Sequence, residues 1–192
     1  MDRRVKRTRK ALREALIQLM YEKDYDDIRM IDIAEVADIA LPTFYRHYDN
    51  KLALLKDMVM YFAEQINEHM DMQLNLEDIL DLKQTPHLLP VFHLLNTYRD
   101  FIQRLLKTPQ SYQVLELTLT MLKDKIQADT PQWKPHEVEI VASMTFGCLY
   151  NWIMKDMPES PDEIAKATHW TVVCGLMTLR GELHRVQLPN NQ

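Results

Sequence analysis

The stretch IDIAEVADIALPTFYRHYDNKLALL, Ile31 to Leu55, decides how this chain is read. Ile33, Val36 and Ala37 recur at spacings of three and four, the repeat that lines one face of a short helix. Ala37-Asp38-Ile39-Ala40 then turns the chain, and Leu41 to Tyr48 form another short helix. Pro42 fits its first turn, where proline's missing N–H has no intrahelical partner. Asp49-Asn50 interrupts the pattern, and Lys51 opens a long helix with Leu52, Leu55, Val59, Phe62 and Ile66 along one side. The segment from Leu41 crowds Thr43, Tyr45, Arg46, His47 and Tyr48 together, an unusual density of aromatic and hydrogen-bonding groups.

Upstream, Leu12, Ala15, Leu16, Leu19 and Met20 draw one apolar stripe and predict a helix from about Thr8 to Glu22. Lys23 to Asp27 breaks it, and a second short helix begins near Arg29. Three helices with a four-residue turn between the second and third have the form of a helix-turn-helix unit. In such a unit the third helix enters the major groove, while the others brace it on the backbone. That groove displays donors, acceptors and thymine methyls, which the crowded side chains suit. Charge agrees. Residues 1–13 hold seven basic residues against Asp2 alone, net +6, which leaves −11 on the remainder of a chain whose total is −5. A basic end on an acidic body fits a polyanionic partner; a solvated, frayed terminus would carry the same residues.

The segments TRKALREALIQLMYEKDYDD and IDIAEVADIALPTFYRHYDNKLALL resemble the DNA-binding domain of the TetR family of bacterial one-component repressors. The likeness covers about the first quarter of the chain, with TFYRHYDNK at the family's distance from IAEVAD. It implies base contacts from Leu41, Pro42 and Thr43, and phosphate or thymine contacts from Tyr45 and His47. It further implies a phosphate grip by Lys51, phosphate-directed Arg46, backbone contact near Arg29, and reach into a minor groove by Arg3, Arg4 and Lys6. Ile33, Ala34, Val36, Ala37, Phe44 and Tyr48, which stands for the usual Phe, are expected in the core. Asp24 and Asp38 replace glycines, so left-handed backbone with slight strain is expected there. Ala40 stands where Ser or Thr commonly caps the recognition helix.

The expected fold is all-α, with about nine helices: a DNA-binding domain over 1–50 and a ligand-binding and dimerisation bundle over 51–192. Within the bundle the pattern predicts helices at Leu76–Leu82, Leu88–Lys107, Gln110–Gln127 and His136–Asp156, with a break at Thr85-Pro86. Ser160-Pro161-Asp162-Glu163 opens the last helix as a capping box. That helix is apolar nearly all round and must be covered, most simply by a second copy of the chain. Leu149, Trp152, Ile153, Trp170, Val173, Gly175 and Met177 are the candidate dimer residues; burial within one subunit would give the same pattern. GCLYNWIMKDMPESPDEIAKA is also similar to the regulatory ends of dihydroxyacetone-kinase-type regulators of the family.

The resemblance implies a ligand-responsive regulator, a repressor by the family's commoner mode. It would hold a palindrome-like DNA operator as a homodimer and release it when a small apolar or amphipathic effector enters the body. Candidate pocket residues are Tyr61, Phe62, Ile66, Met70, Phe92, Phe101, Tyr112, Met121, Met144 and Trp152, although aromatic and Met residues at helical spacing also describe plain core. The alternative is a ligand-independent DNA-binding or protein-interaction module with a degenerate regulatory body. An enzyme is not expected: the histidines, His69, His87 and His93 among them, lack metal-ligand spacing, and no glycine-rich phosphate loop or nucleophile elbow occurs. No cofactor or metal is expected. Cys148 and Cys174 read as free thiols. With no secretory signal and no span of ~20 apolar residues, a cytoplasmic protein without membrane contact is expected.

Overall fold

In the computed structural model, which describes residues 3–69, 82, 86 and 88–186 (66–69 by backbone alone), helices are the only regular elements besides two 3₁₀ turns. The stripe Leu12, Ala15, Leu16, Leu19 and Met20 is the buried face of α1 (Arg3–Glu22). This helix begins earlier than the expected Thr8, so the basic residues at its start are helical. A 3₁₀ turn at Tyr25–Asp27 leads to α2 (Met30–Val36), α3 (Leu41–His47) and α4 (Lys51–His69). Ile33, Ala34, Phe44, Leu54, Leu55 and Met58 are buried with the α1 stripe. Val36 departs from expectation: it is exposed, and Ala37 is half-buried.

The chain divides into two compact units, residues 1–63 with 100–117, and 64–99 with 118–192. The first turns of α4 therefore belong with the N-terminal helices, whereas the sequence opens its second domain at residue 51. The cause is Leu54, Leu55 and Met58, whose fully buried side chains complete that core.

The remaining helices are α5 (Leu89–Thr97), α6 (Arg99–Leu106), α7 (Ser111–Asp129), α8 (Pro135–Met154) and α9 (Pro161–Arg180), followed by a 3₁₀ turn at Leu183–Arg185. The single helix expected over Leu88–Lys107 is two. Tyr98 leaves helical geometry at φ −103° and ψ 23°, next to Asn96 and Thr97, which are weak helix formers. α9 opens as its sequence predicts: Ser160 Oγ accepts from the Glu163 N–H, and Glu163 Oε2 accepts from the Ser160 N–H at 2.9 Å. Its end is closed by Gly181 at φ 71°, where a side chain would be strained. α9 packs on α8 and α5, and Ile126, Trp133, Val138, Val141, Ala142, Val173, Leu176 and Met177 form one core cluster. The expected segment Leu76–Leu82 and the break at Thr85-Pro86 lie outside the described residues, apart from Leu82 and Pro86. So do Met70, His87 and the side chains of Ile66 and His69.

Candidate nucleic-acid interface

The turn from Ala37 to Ala40 joins α2 to α3 as expected, and Asp38 takes the left-handed conformation at φ 54°. Asp24 does not; it is extended at φ −66°, so no glycine-like strain arises there. Ala40 gives α3 no side-chain cap. The seven residues of α3 then sort by face. Phe44 and the following Tyr48 turn inward, Phe44 fully buried. Pro42, Tyr45 and Arg46, at helical spacing, turn outward, Tyr45 with 47% of its surface exposed. Leu41, Thr43 and His47 lie half-buried between the two faces. Arg46 reaches back to Thr43 Oγ1 at 3.4 Å, and the Tyr45 ring stands edge-on to Phe44. Burial, then the positive charges of Arg46 and Arg9, lower the His47 pKa. The outward face thus offers an aromatic ring, a guanidinium and apolar surface, with few side chains committed elsewhere.

The basic residues around it differ in their surroundings. Arg3, Arg4 and Lys6 lie exposed along the start of α1. Arg29 projects into solvent yet is paired: its guanidinium donates to Asp32 Oδ1 at 2.9 Å, and its own N–H donates to Asp32 Oδ2. Lys23 adds a third donor at 2.7 Å. These bonds, that from the Arg29 side chain foremost, hold the Asp32 carboxyl well below the usual carboxylate range. The Lys51 side chain is turned inward. Its ammonium donates to the carbonyls of Tyr25 and Ile28, the latter at 2.7 Å, and sits 4.0 Å from the Tyr25 ring centroid. Burial lowers its pKa. The geometry makes it a stitch from α4 to the 3₁₀ turn, because an ammonium satisfied by carbonyls has little left for phosphate.

A second tie was not read from the sequence. Asp57 of α4 accepts from Arg9 and, at 2.9 Å, from Arg13, both on α1, and from the Tyr48 hydroxyl at 2.6 Å. Arg9 Nε donates to that same hydroxyl at 3.1 Å. Burial and the bond to Asp57 push the Tyr48 phenol up to about 12. Arg13 also lies 4.0 Å over the Tyr61 ring. The available signal was Tyr48 itself: a core aromatic that carries a hydroxyl needs a polar partner.

The other candidates scatter. Phe92 and Trp152 are fully buried core rings that meet edge-on at 5.3 Å, and half-buried Phe62 lies 6.4 Å from buried Phe101. Tyr112 is 71% exposed and lines no interior. Met121 is half-buried. Met144 packs against Gly175, where an added Cβ would meet its Cε at 2.7 Å. Of the dimer candidates, Trp152, Ile153, Val173 and Met177 are buried within their own unit, because the inward stripes of α8 and α9 already cover them. Leu149 and Gly175 are half-buried, and Trp170 is exposed. Tyr150, Met154 and Leu179, absent from the expectation, are exposed too. Among the described residues no group of three His, Cys, Asp or Glu is placed to hold a metal ion, and no helix is long and apolar enough to cross a membrane.

Residues 12–58 match the sequence profile of the N-terminal domain of bacterial regulatory proteins of the tetR family. The uncharacterized HTH-type transcriptional regulator YxbF of Bacillus subtilis (strain 168) is 42% identical over 71 residues, which cover 36% of this chain and 19% of that protein. The match therefore spans less than a fifth of the relative's length. Among solved structures, the dihydroxyacetone kinase operon activator DhaS aligns with a TM-score of 0.59 at 19% identity, over 90% of this chain and 95% of that one. The fatty acid degradation regulator FadR from Bacillus halodurans aligns at 0.58 and 19% identity, over 88% and 96%. The TetR family repressor AlkX from Dietzia sp. strain DQ12-45-1b aligns at 0.55 and 16% identity, over 88% and 97%. At these identities the likeness is one of fold.

Proposed function

We propose that this chain, whose residues 12–58 match the N-terminal domain of the tetR family, is a DNA-binding transcriptional regulator of that family and a ligand-responsive repressor acting as a homodimer. The observation that carries the DNA-facing part is the division of α3. Phe44 and Tyr48 anchor it inward, which leaves Pro42, Tyr45 and Arg46 on one outward face. A helix in the major groove needs such a face, with polar and aromatic groups reaching base edges and phosphates together. Leu41 and Thr43 flank that face, and Arg3, Arg4 and Lys6 supply sequence-independent attraction to the backbone.

The effector class rests on the 12 methionines of the chain, whose thioethers adapt to varied apolar shapes. Two proteins of the same fold carry names tied to fatty acid degradation and to n-alkanes, in keeping with an apolar or amphipathic effector. Any such molecule acts only through its differential affinity for two arrangements of the dimer.

The test is selection of bound sequences from a random duplex pool, repeated with Tyr45→Ala. Wild type is expected to enrich a palindrome-like site. The variant should bind that site more weakly, by about 1–3 kcal/mol if the ring reads a base. Enrichment of the same site to the same degree by both proteins sinks the assignment of α3. Operator binding that no apolar compound weakens returns the ligand-independent reading.

A further inference from the structure

We propose that the Tyr48 hydroxyl and the Asp57 carboxylate form a latch that orients the recognition helix on α4 and so sets how tightly this protein holds its operator. The inference rests on the DNA-binding reading above and adds to it two positioning residues that touch no base.

Three elements meet at this carboxylate. Tyr48 is the residue that ends α3, its N–H donating to the Phe44 carbonyl at 3.0 Å. Its hydroxyl donates to Asp57 Oδ2 at 2.6 Å and accepts from Arg9 Nε at 3.1 Å. Arg9 also donates to Asp57 Oδ1, which closes a triangle of side chains, and Arg13 donates to Oδ2 at 2.9 Å. The carboxylate is almost enclosed, with 11% of its side chain exposed. A phenylalanine at 48 would fill the same volume beside Phe44, so packing alone does not call for the hydroxyl. What it adds is direction: both its donor and its acceptor capacity are used, and each bond fixes the ring against a different helix.

The other end of α3 makes this consequential. Ala40 offers α3 no side-chain cap at its start. Phe44 and Tyr48 both anchor this seven-residue helix inward, and of the two rings Tyr48 alone carries polar bonds that fix its direction. Freeing it leaves Pro42, Tyr45 and Arg46 with a spread of orientations, and ordering them on DNA then costs affinity. Arg9 and Arg13 count toward the basic end of the sequence, yet both serve this junction. Neither is expected to contribute to the phosphate contacts that set salt dependence.

The experiment compares wild type, Tyr48→Phe, Asp57→Asn and the double variant on the duplex that wild type selects. Affinity is measured at several salt concentrations, and thermal unfolding is followed in parallel. Tyr48→Phe is expected to bind about ten-fold more weakly at a temperature well below its unfolding, with the slope of log affinity on log salt unchanged. The double variant is expected to be no worse than Asp57→Asn, since both remove one junction. Affinity equal to wild type in Tyr48→Phe overturns the latch, even if its unfolding temperature falls, because that is what packing alone would do. A slope that drops by about one also overturns it, since it would signal a lost phosphate contact. A wild-type protein that prefers no duplex overturns the DNA-binding reading and the latch together. Should Asp57→Asn fail to fold, Tyr48→Phe, which removes a single oxygen, decides alone.

Discussion

Lys51 shows how one side chain can carry two readings that its position in the sequence does not separate. At the head of α4 a lysine is well placed for a phosphate, but here the ammonium is turned onto the carbonyls of Tyr25 and Ile28 and against the Tyr25 ring. The two roles differ in measurable ways. A stitch carries stability, and a phosphate contact carries salt dependence. Lys51→Met is expected to lower the stability of the folded protein by about 1.5–3 kcal/mol, the range for hydrogen bonds to a charged group. The salt slope of operator binding should stay as in wild type. Unfolding in urea and binding at three salt concentrations check both halves. A slope that falls by about one with unaltered stability restores the phosphate role. Tyr45 and Arg46 were legible from sequence because a short helix with buried Phe44 has only one outward face to give them. Asp57 was not legible, since a carboxylate that collects donors from residues 9, 13 and 48 depends on contacts far apart in the chain.

At the scale of elements, periodicity predicted what neighbouring residues decide. The α1 stripe is buried residue for residue, and the cap at Ser160 forms as written, because both depend on residues within one or two turns. The break at Tyr98 escaped, since the apolar pattern runs on through it, and only weak propensity at Asn96 and Thr97 hints at a stop. The tie between the first turn of α8 and the last turn of α9 escaped for the same reason as Asp57. Arg180 Nε donates to Glu137 Oε1 at 2.6 Å, and its guanidinium lies 4.9 Å from the Trp133 ring centroid. That bond first, then the Lys134 N–H, bring the Glu137 carboxyl from 4.5 down to about 2. A carboxyl whose folded pKa is depressed contributes stability above its unfolded value and loses it as pH falls. The contribution of Glu137 is therefore whole at pH 7 and declines from about pH 4.5 toward pH 2. Glu137→Gln should be less stable than wild type at pH 7, and the gap should close across that acid window. Urea midpoints at pH 7, 5, 4 and 3 measure it; a gap of constant size would mean that packing, not charge, is what the substitution removes.

For the whole molecule, the decisive quantity is how many copies act together. A single seven-residue helix covers too few base pairs to pick out a site, and paired recognition helices must meet major grooves about 34 Å apart. The inward stripes of α8 and α9 are used within the subunit, as the burial of Trp152, Val173 and Met177 demonstrates. Each helix nevertheless keeps apolar surface facing out. Tyr150 and Met154 lie exposed on α8, where Tyr150 stacks on Phe146 at 12° between ring planes, and Trp170 and Leu179 lie exposed on α9. These exposed apolar side chains on two helices are surface that a second copy of the chain would cover about a two-fold axis. The double substitution Tyr150→Lys with Trp170→Lys is expected to leave the subunit folded, since neither residue is in the core, and to separate the copies. Sedimentation should then report the 22.8 kDa of one chain, where wild type reports twice that mass. The variant should also lose its preference for a palindrome-like duplex while retaining weak, salt-sensitive binding to any DNA, because Arg3, Arg4, Lys6 and the outward face of α3 remain on each copy. A wild-type protein that sediments as a single chain at working concentration removes the pairing, and an undisturbed dimer in the double variant moves it to another surface.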